Sequence, residues 1–111
     1  MNNLNELEIA VLERVAQKYP SLRKHFPYLN VKNRQITGVG MYVNFSYTSS
    51  NPIEDIQLLN ASLSTNENII IDNLKYGLGY EIDITEGKIN YIEFVTYGEE
   101  WDGTVKNFSF R

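Results

Sequence analysis

The chain has 111 residues, with 10 basic and 14 acidic side chains and a net charge of −4. That length suits one α+β domain spanning residues 1–111, large enough to bury a core without staples. A hydrophobic fraction of 42% argues against intrinsic disorder, and no apolar run approaches the ~18 residues that a membrane span needs.

Leu4, Leu7, Val11, Val15, Tyr19 and Leu22 recur at three- and four-residue steps. This is one apolar face of an amphipathic helix, predicted over Asn5–Lys18. Asn3 or Asn5 is a suitable cap, and Glu6 and Glu8 suit the positive end of the helix dipole. Pro20 ends the helix, because proline removes a backbone donor and clashes with the turn before it. The stretch Pro20 to Pro27 then reads as a short turn or single-turn helix.

From Tyr28 the period changes from 3.6 to 2. Leu29 to Arg34 reads as a short strand turned at Asn33-Arg34. Val39, Met41, Val43, Phe45 and Tyr47 share one side of a half-buried antiparallel strand. Gly38 and Gly40 suggest a bulge, a bend or close approach by another backbone. Thr48 to Pro52 is a loop. Ile53 to Ser64 fits a strand or a short helix, with a strand at Gln57–Ser64 preferred. Ile69 to Ile71 is a short apolar run between turns.

The strongest local pattern is a hairpin. Gly79 to Thr85 and Lys88 to Tyr97 alternate on either side of Glu86-Gly87, a connection suited to the primed turns. A simple register pairs Ile84 with Ile89, Ile82 with Tyr91 and Tyr80 with Glu93. Gly98 to Gly103 is a loop, and Thr104 to Phe110 a last strand. No helical pattern separates the strands, so parallel crossovers are not expected. The predicted architecture is α+β: an N-terminal amphipathic helix packed on one face of a mainly antiparallel sheet of about five strands.

Zero cysteines exclude disulfides, thiolate metal sites and cysteine nucleophiles. The one histidine, His25, rules out a His-rich metal site, and in its polar turn it reads as a surface residue. No metal and no cofactor are expected. Residues 1–35 carry a net +3 and residues 36–111 a net −7. The basic stretch reads as a solvated helix face rather than a nucleic-acid patch, because the chain as a whole is acidic. Without a recognisable signal peptide or span, the expected compartment is the cytoplasm.

The acidic stretch holds Glu81, Asp83, Glu86, Glu93, Glu99, Glu100 and Asp102, broken by Lys88. Hairpin charges of this kind keep a sheet soluble and guard its edges. They also suit a basic protein partner, which complementary charge would steer. The candidate partner-binding residues are Glu81, Asp83, Glu99, Glu100, Trp101 and Asp102, with Trp101 as the apolar anchor or else a lid on the sheet. Glu93, Tyr80 and Tyr91 form a candidate pocket, in which a carboxylate among aromatics would have a raised pKa. No catalytic residue is assigned.

The segment Gly87-Lys88-Ile89-Asn90-Tyr91-Ile92-Glu93-Phe94, continued by Tyr97-Gly98-Glu99-Glu100-Trp101, resembles the ending of many small uncharacterised bacterial proteins. Some of these are similar to immunity proteins that neutralise toxins. The resemblance implies a small, acidic α+β interaction protein. Three functions stay open at this point. One is a non-enzymatic module binding a basic protein. Another is a ligand-binding or weakly catalytic domain with an apolar pocket between helix and curved sheet. The third is a structural subunit that pairs with its own copy through a sheet face.

Overall fold

A computed structural model describes residues 1–48, 56 and 59–111 of the protein. Asn5 caps helix α1, Glu6–Lys18. Its side chain accepts the Glu8 N–H at 2.9 Å, and the Glu8 carboxylate accepts the Asn5 N–H at 2.9 Å. This reciprocal cap satisfies two donors that the first turn leaves without helical partners. The buried stripe takes in Leu7, Val11 and Val15 as expected, and widens to Leu12 and Ala16. Beyond Tyr19 the chain forms a nine-residue 3-10 helix, Pro20–Tyr28, longer than the single turn its prolines suggest.

Seven strands follow among the described residues: β1 (Leu29–Ile36), β2 (Gly40–Tyr47), β3 (Ala61–Leu63), β4 (Ile69–Ile71), β5 (Leu78–Thr85), β6 (Lys88–Thr96) and β7 (Phe108–Phe110). All the strand pairs are antiparallel, in the order β1-β2-β6-β5-β4-β7, with β3 also paired to β5. The expected count of about five falls short because β3, β4 and β7 are three-residue strands, too short to display an alternation. The preferred strand at Gln57–Ser64 reduces to β3, while Gln57, Leu58 and the expected loop from Ser49 to Pro52 lie outside the described residues. The first hairpin turns at Thr37-Gly38-Val39, not at Asn33-Arg34, so Val39 sits exposed in the turn. The second turns at Glu86-Gly87 as predicted. Both residues have positive φ, 51° and 74°, as a type I′ turn requires.

One face of the sheet carries Val31, Met41, Val43, Phe45, Leu78, Ile82, Ile84, Ile89, Ile92 and Phe94, and these pack with the buried residues of both helices. Every fully buried Leu or Ile here contributes roughly 1.5–3 kcal/mol relative to exposure. Gly40 allows the close approach that its position suggested. A Cβ there would stand 2.3 Å from the Phe94 carbonyl oxygen.

Two bulges set which residues reach this core. In β1, Val31 pairs with Phe45 but Asn33 with Asn44, so Lys32 is an extra residue. In β6, Ile89 pairs with Ile84 but Tyr91 with Asp83, so Asn90 is extra. One extra residue exchanges the two faces of a strand beyond it. In β1 the exchange turns Arg34 inward, opposite Val43. There its Nε and Nη2 donate to the two carboxylate oxygens of Glu8, each at 2.7 Å. Nη2 also donates to the Asn3 carbonyl at 2.8 Å. Glu8 is fully buried and Arg34 about one third exposed. The paired carboxylate raises the Arg34 pKa further, against the opposing effect of burial.

The outer edge of β5 is covered in two pieces, by β3 opposite Ile82–Ile84 and by β4 opposite Leu78. Between them the Ser64 hydroxyl donates to the Tyr80 carbonyl at 2.7 Å.

Replacing Arg34→Met leaves the Glu8 carboxylate buried without its cation. Urea denaturation followed by circular dichroism should show a loss of about 3–5 kcal/mol. The double variant Glu8→Gln/Arg34→Met should recover part of it.

A candidate interaction face on the open side of the sheet

The second bulge rearranges the candidate pocket. Beyond Asn90 the pairs are Ile82 with Ile92, Glu81 with Glu93 and Tyr80 with Phe94. The expected pairs of Ile82 with Tyr91 and Tyr80 with Glu93 are therefore one residue out of register. Tyr80 points into the core, where it is 4% exposed, stands edge-on to the Phe110 ring and shares a hydrogen bond with the Thr65 hydroxyl. Tyr91 and Glu93 stand on the opposite face. Of the expected pocket of Glu93, Tyr80 and Tyr91, Glu93 and Tyr80 both border a cleft over Gly79, and Tyr91 stands outside it.

The opposite face has a composition of its own. Its rows follow from the register: Gln35–Tyr42–Glu93–Glu81, Asn33–Asn44–Tyr91–Asp83–Ser62, and Gly40–Val95–Gly79. Among the described residues, both helices bury their apolar side chains in the core on the other side, and no helix covers these rows. Val95 is 42% exposed in the middle strand. The Tyr42 and Tyr91 rings meet edge to face at 5.3 Å. Lys88 belongs to this face only at the hairpin end, paired with Thr85.

Glu81 and Asp83 accept from neutral donors. Ser62 Oγ donates to Glu81 at 2.9 Å, and Tyr42 stands directly across the strand pair from Glu93. Thr85 Oγ1 and Asn90 Nδ2 donate to Asp83 at 2.6 and 3.1 Å. The ion pairs of Arg14, Arg23 and Arg34 go elsewhere, to Glu67, Glu13 and Glu8. The negative field reaches the tyrosines. The hydrogen bond to Glu93 and its charge raise the Tyr42 pKa. Desolvation, with the charges of Asp83, Glu93 and Glu81, raises that of Tyr91.

The loop after β6 plays another part. Trp101 is 4% exposed, packs edge-on against Phe94 at 6.1 Å and donates from Nε1 to the Thr104 carbonyl at 3.1 Å. It closes one end of the core, so it cannot be the exposed anchor of an interface. Its lid role is the one observed. Glu99 accepts the Lys75 and Tyr76 N–H groups at 2.9 Å each, fixing the turn after β4. Asp102 is exposed and accepts the Thr104 N–H at 2.9 Å, which lowers its pKa. Glu100 is exposed beside a cleft of about 400 Å³ that it shares with Gly38, Asn73, Trp101 and Asp102. The candidate residues thus divide: Glu81, Asp83, Tyr91 and Glu93 come together on the open face, while Glu99, Trp101 and Asp102 hold a loop.

Residues that the sequence reading passed over complete the face: Tyr42, Ser62, Gly79, Val95 and Tyr97. Tyr97 Oη donates to Asn68 Oδ1 at 2.7 Å and lies 3.0 Å from where a Gly79 Cβ would stand. Glycines inside strands are the available signal, since they mark close approach or missing side-chain cover. A second cleft, of about 420 Å³, opens over Gly79, Val95 and Tyr97.

His25 is also relocated, from the surface to full burial. Its Nδ1 lies 2.9 Å from Tyr47 Oη, which accepts the Ile89 N–H at 2.8 Å. Burial pushes the Tyr47 phenol up to about 12, partly offset by the Ile89 donor. Among the described residues no group of three or more His, Asp and Glu is arranged to hold a metal ion, and no helix is long and apolar enough to cross a membrane.

Two measurements follow. A folded-state pKa above the unfolded value of about 10 means that the Tyr47 contribution is complete below pH ~10 and is lost as pH rises towards ~12. Absorbance at 295 nm should resolve one late-titrating tyrosine that disappears in Tyr47→Phe, and that variant should lose about 1–3 kcal/mol at neutral pH as the Ile89 N–H loses its acceptor. Trp101→Ala should cost about 3–5 kcal/mol in thermal or urea unfolding, as for an aromatic removed from a core.

Comparison of the chain with protein-family models, with curated proteins and with solved structures returns no match.

Proposed function

We propose that this protein is a non-enzymatic interaction module whose open sheet face binds a basic protein, in the manner of an immunity-type protein holding its target. The observation that carries this reading is Glu81 directly opposite Glu93 on two central strands, with Asp83 in the next row. Like charges placed across a strand pair destabilise it, so sheet stability gives no reason for the pairing. A cationic surface laid on this face would relieve the repulsion and gain from the field.

The other readings find less support. The space between helix and sheet is filled by Leu7, Val11, Leu12, Ile82, Ile92 and Phe94, all 1% exposed or less, which disfavours an internal ligand pocket. Pairing of two copies through this face would bring acidic rows together. The loop of Glu99 to Asp102 is secondary in this reading, because its aromatic residue is inside the core and Glu99 is spent on backbone donors.

Surface plasmon resonance against a partner captured from native lysate tests the reading. The partner should be basic. Its association should slow about tenfold or more as the Debye length shrinks from ~10 Å at 0.1 M salt to ~3 Å at 1 M. Glu81→Lys with Glu93→Lys should abolish binding without lowering the melting temperature, whereas Glu99→Lys with Glu100→Lys should have the smaller effect. A partner whose association ignores both salt and Glu81→Lys/Glu93→Lys overturns the proposal.

A further inference from the structure

The row Gly40–Val95–Gly79 crosses the open face as a trough, since Val95 has a glycine neighbour on each side. At the Gly79 end the trough deepens into the cleft of about 420 Å³. Its volume lies within the roughly 300–1,000 Å³ of sites that enclose a ligand group. Val95 and the Gly79 backbone form its floor, and the polar stretch from Ser64 to Asn68, including the Glu67 that pairs with Arg14, walls its other side. The Tyr97 ring stands over Gly79, tied by its hydroxyl to Asn68. Glu81 and Glu93 border the next row, directly across from one another, so that their Cβ atoms are ~4.5–5.5 Å apart.

We propose that this cleft receives one arginine side chain of the basic partner, an inference that rests on the interaction reading above. Each feature fits part of that side chain. The three-carbon stem lies on Val95, beside the Tyr97 ring that covers Gly79, where apolar contact has value. The guanidinium presents five N–H donors in one plane, enough to reach both carboxylates at once. Ser62 occupies one acceptor site on Glu81 and so orients that carboxylate, while Tyr42 stands across the strand pair from Glu93. The Tyr97 ring offers a face on which a guanidinium stacks better than an ammonium does. The source is a different protein rather than another copy of this chain. Arg14, Arg23 and Arg34 are already paired with Glu67, Glu13 and Glu8, and a copy offering the fourth arginine, the exposed Arg111, would carry the same net charge of −4 and the same acidic face and be repelled. The usual arrangement of an aromatic knob on the binder is therefore inverted: this protein supplies the hole and the partner the long cationic side chain.

Two nine-residue peptides of equal charge test it, one with a single central arginine among lysines, the other with lysine throughout. Binding is read by isothermal titration and by amide shifts in ¹⁵N-labelled protein. The arginine peptide should bind about threefold to fivefold tighter, the range expected of an exposed cation–π contact. Its largest shifts should fall at Gly79, Val95 and Tyr97. Gly79→Ala requires only the flexible end of Tyr97 to move, so the variant folds, and it should bring the two peptides to equal affinity. Glu81→Gln with Glu93→Gln should weaken both. Equal binding of the two peptides to the unaltered protein, or shifts centred elsewhere on the face, overturns the arginine cleft and leaves the face as a binding surface. If neither peptide binds, the interaction reading fails as well.

Discussion

The side chains of a β-strand alternate, and one inserted residue exchanges its faces for the rest of its length. This two-residue period governs the molecule, because a single layer of helix can cover only one side of the sheet. Each of the two long hairpins contains one such insertion, Lys32 in β1 and Asn90 in β6. The first sends an arginine to the helix side. The second keeps Ile92 and Phe94 in the core and sends Tyr91, Glu93 and Val95 outward. Without the second bulge Glu93 would stand among buried isoleucines, where an uncompensated carboxylate is costly.

The helix and the sheet meet at a polar point inside an otherwise apolar layer. Glu8 closes the cap of α1 with one oxygen and receives Arg34 on both. A buried ion pair adds little net stability over a well-packed apolar pair, yet it fixes geometry, because either partner alone is strongly disfavoured. The register of β1 and the start of α1 are thereby tied to each other. The same geometry frees the far side of the sheet from packing against a helix, and that is where Glu81, Asp83 and Glu93 gather.

Much of this architecture was legible in the chain. The 3.6-residue spacing gave α1, Asn3 or Asn5 with Glu6 and Glu8 marked its start, of which Asn5 is the cap, and Glu86-Gly87 marked the turn of the second hairpin. The alternation from Met41 to Phe45 gave the buried side of β2. The bulges were not legible, since a bulge demands no particular side chain and neither Lys32 nor Asn90 departs from ordinary strand-edge chemistry. The error in the candidate pocket follows from that alone: a register shifted by one puts Glu93 beside Tyr80. Trp101 misled for a different reason. Its acidic neighbours belong to the exposed side of a loop that crosses the end of the core, so composition described the loop and not the one side chain that turns inward. His25 was misplaced because a 3-10 helix repeats every three residues, which brings it onto the buried side with Leu22. Part of the face was anticipated, as Glu81, Asp83, Tyr91 and Glu93. Gly79 and Tyr97 were not, because a trough is made by what a glycine lacks.

The covering of β5 bears on how this sheet behaves in a crowded solution. A strand edge with free amides and carbonyls is a template on which another chain can add itself, the first step towards fibrils. Here the edge is divided between two three-residue strands, and in the gap the Ser64 hydroxyl already occupies the Tyr80 carbonyl. An incoming strand would meet neither a continuous run of vacant groups nor a straight segment long enough to zip along. Resistance to strand addition is thus built into this stretch of the sheet, beside its acidic face.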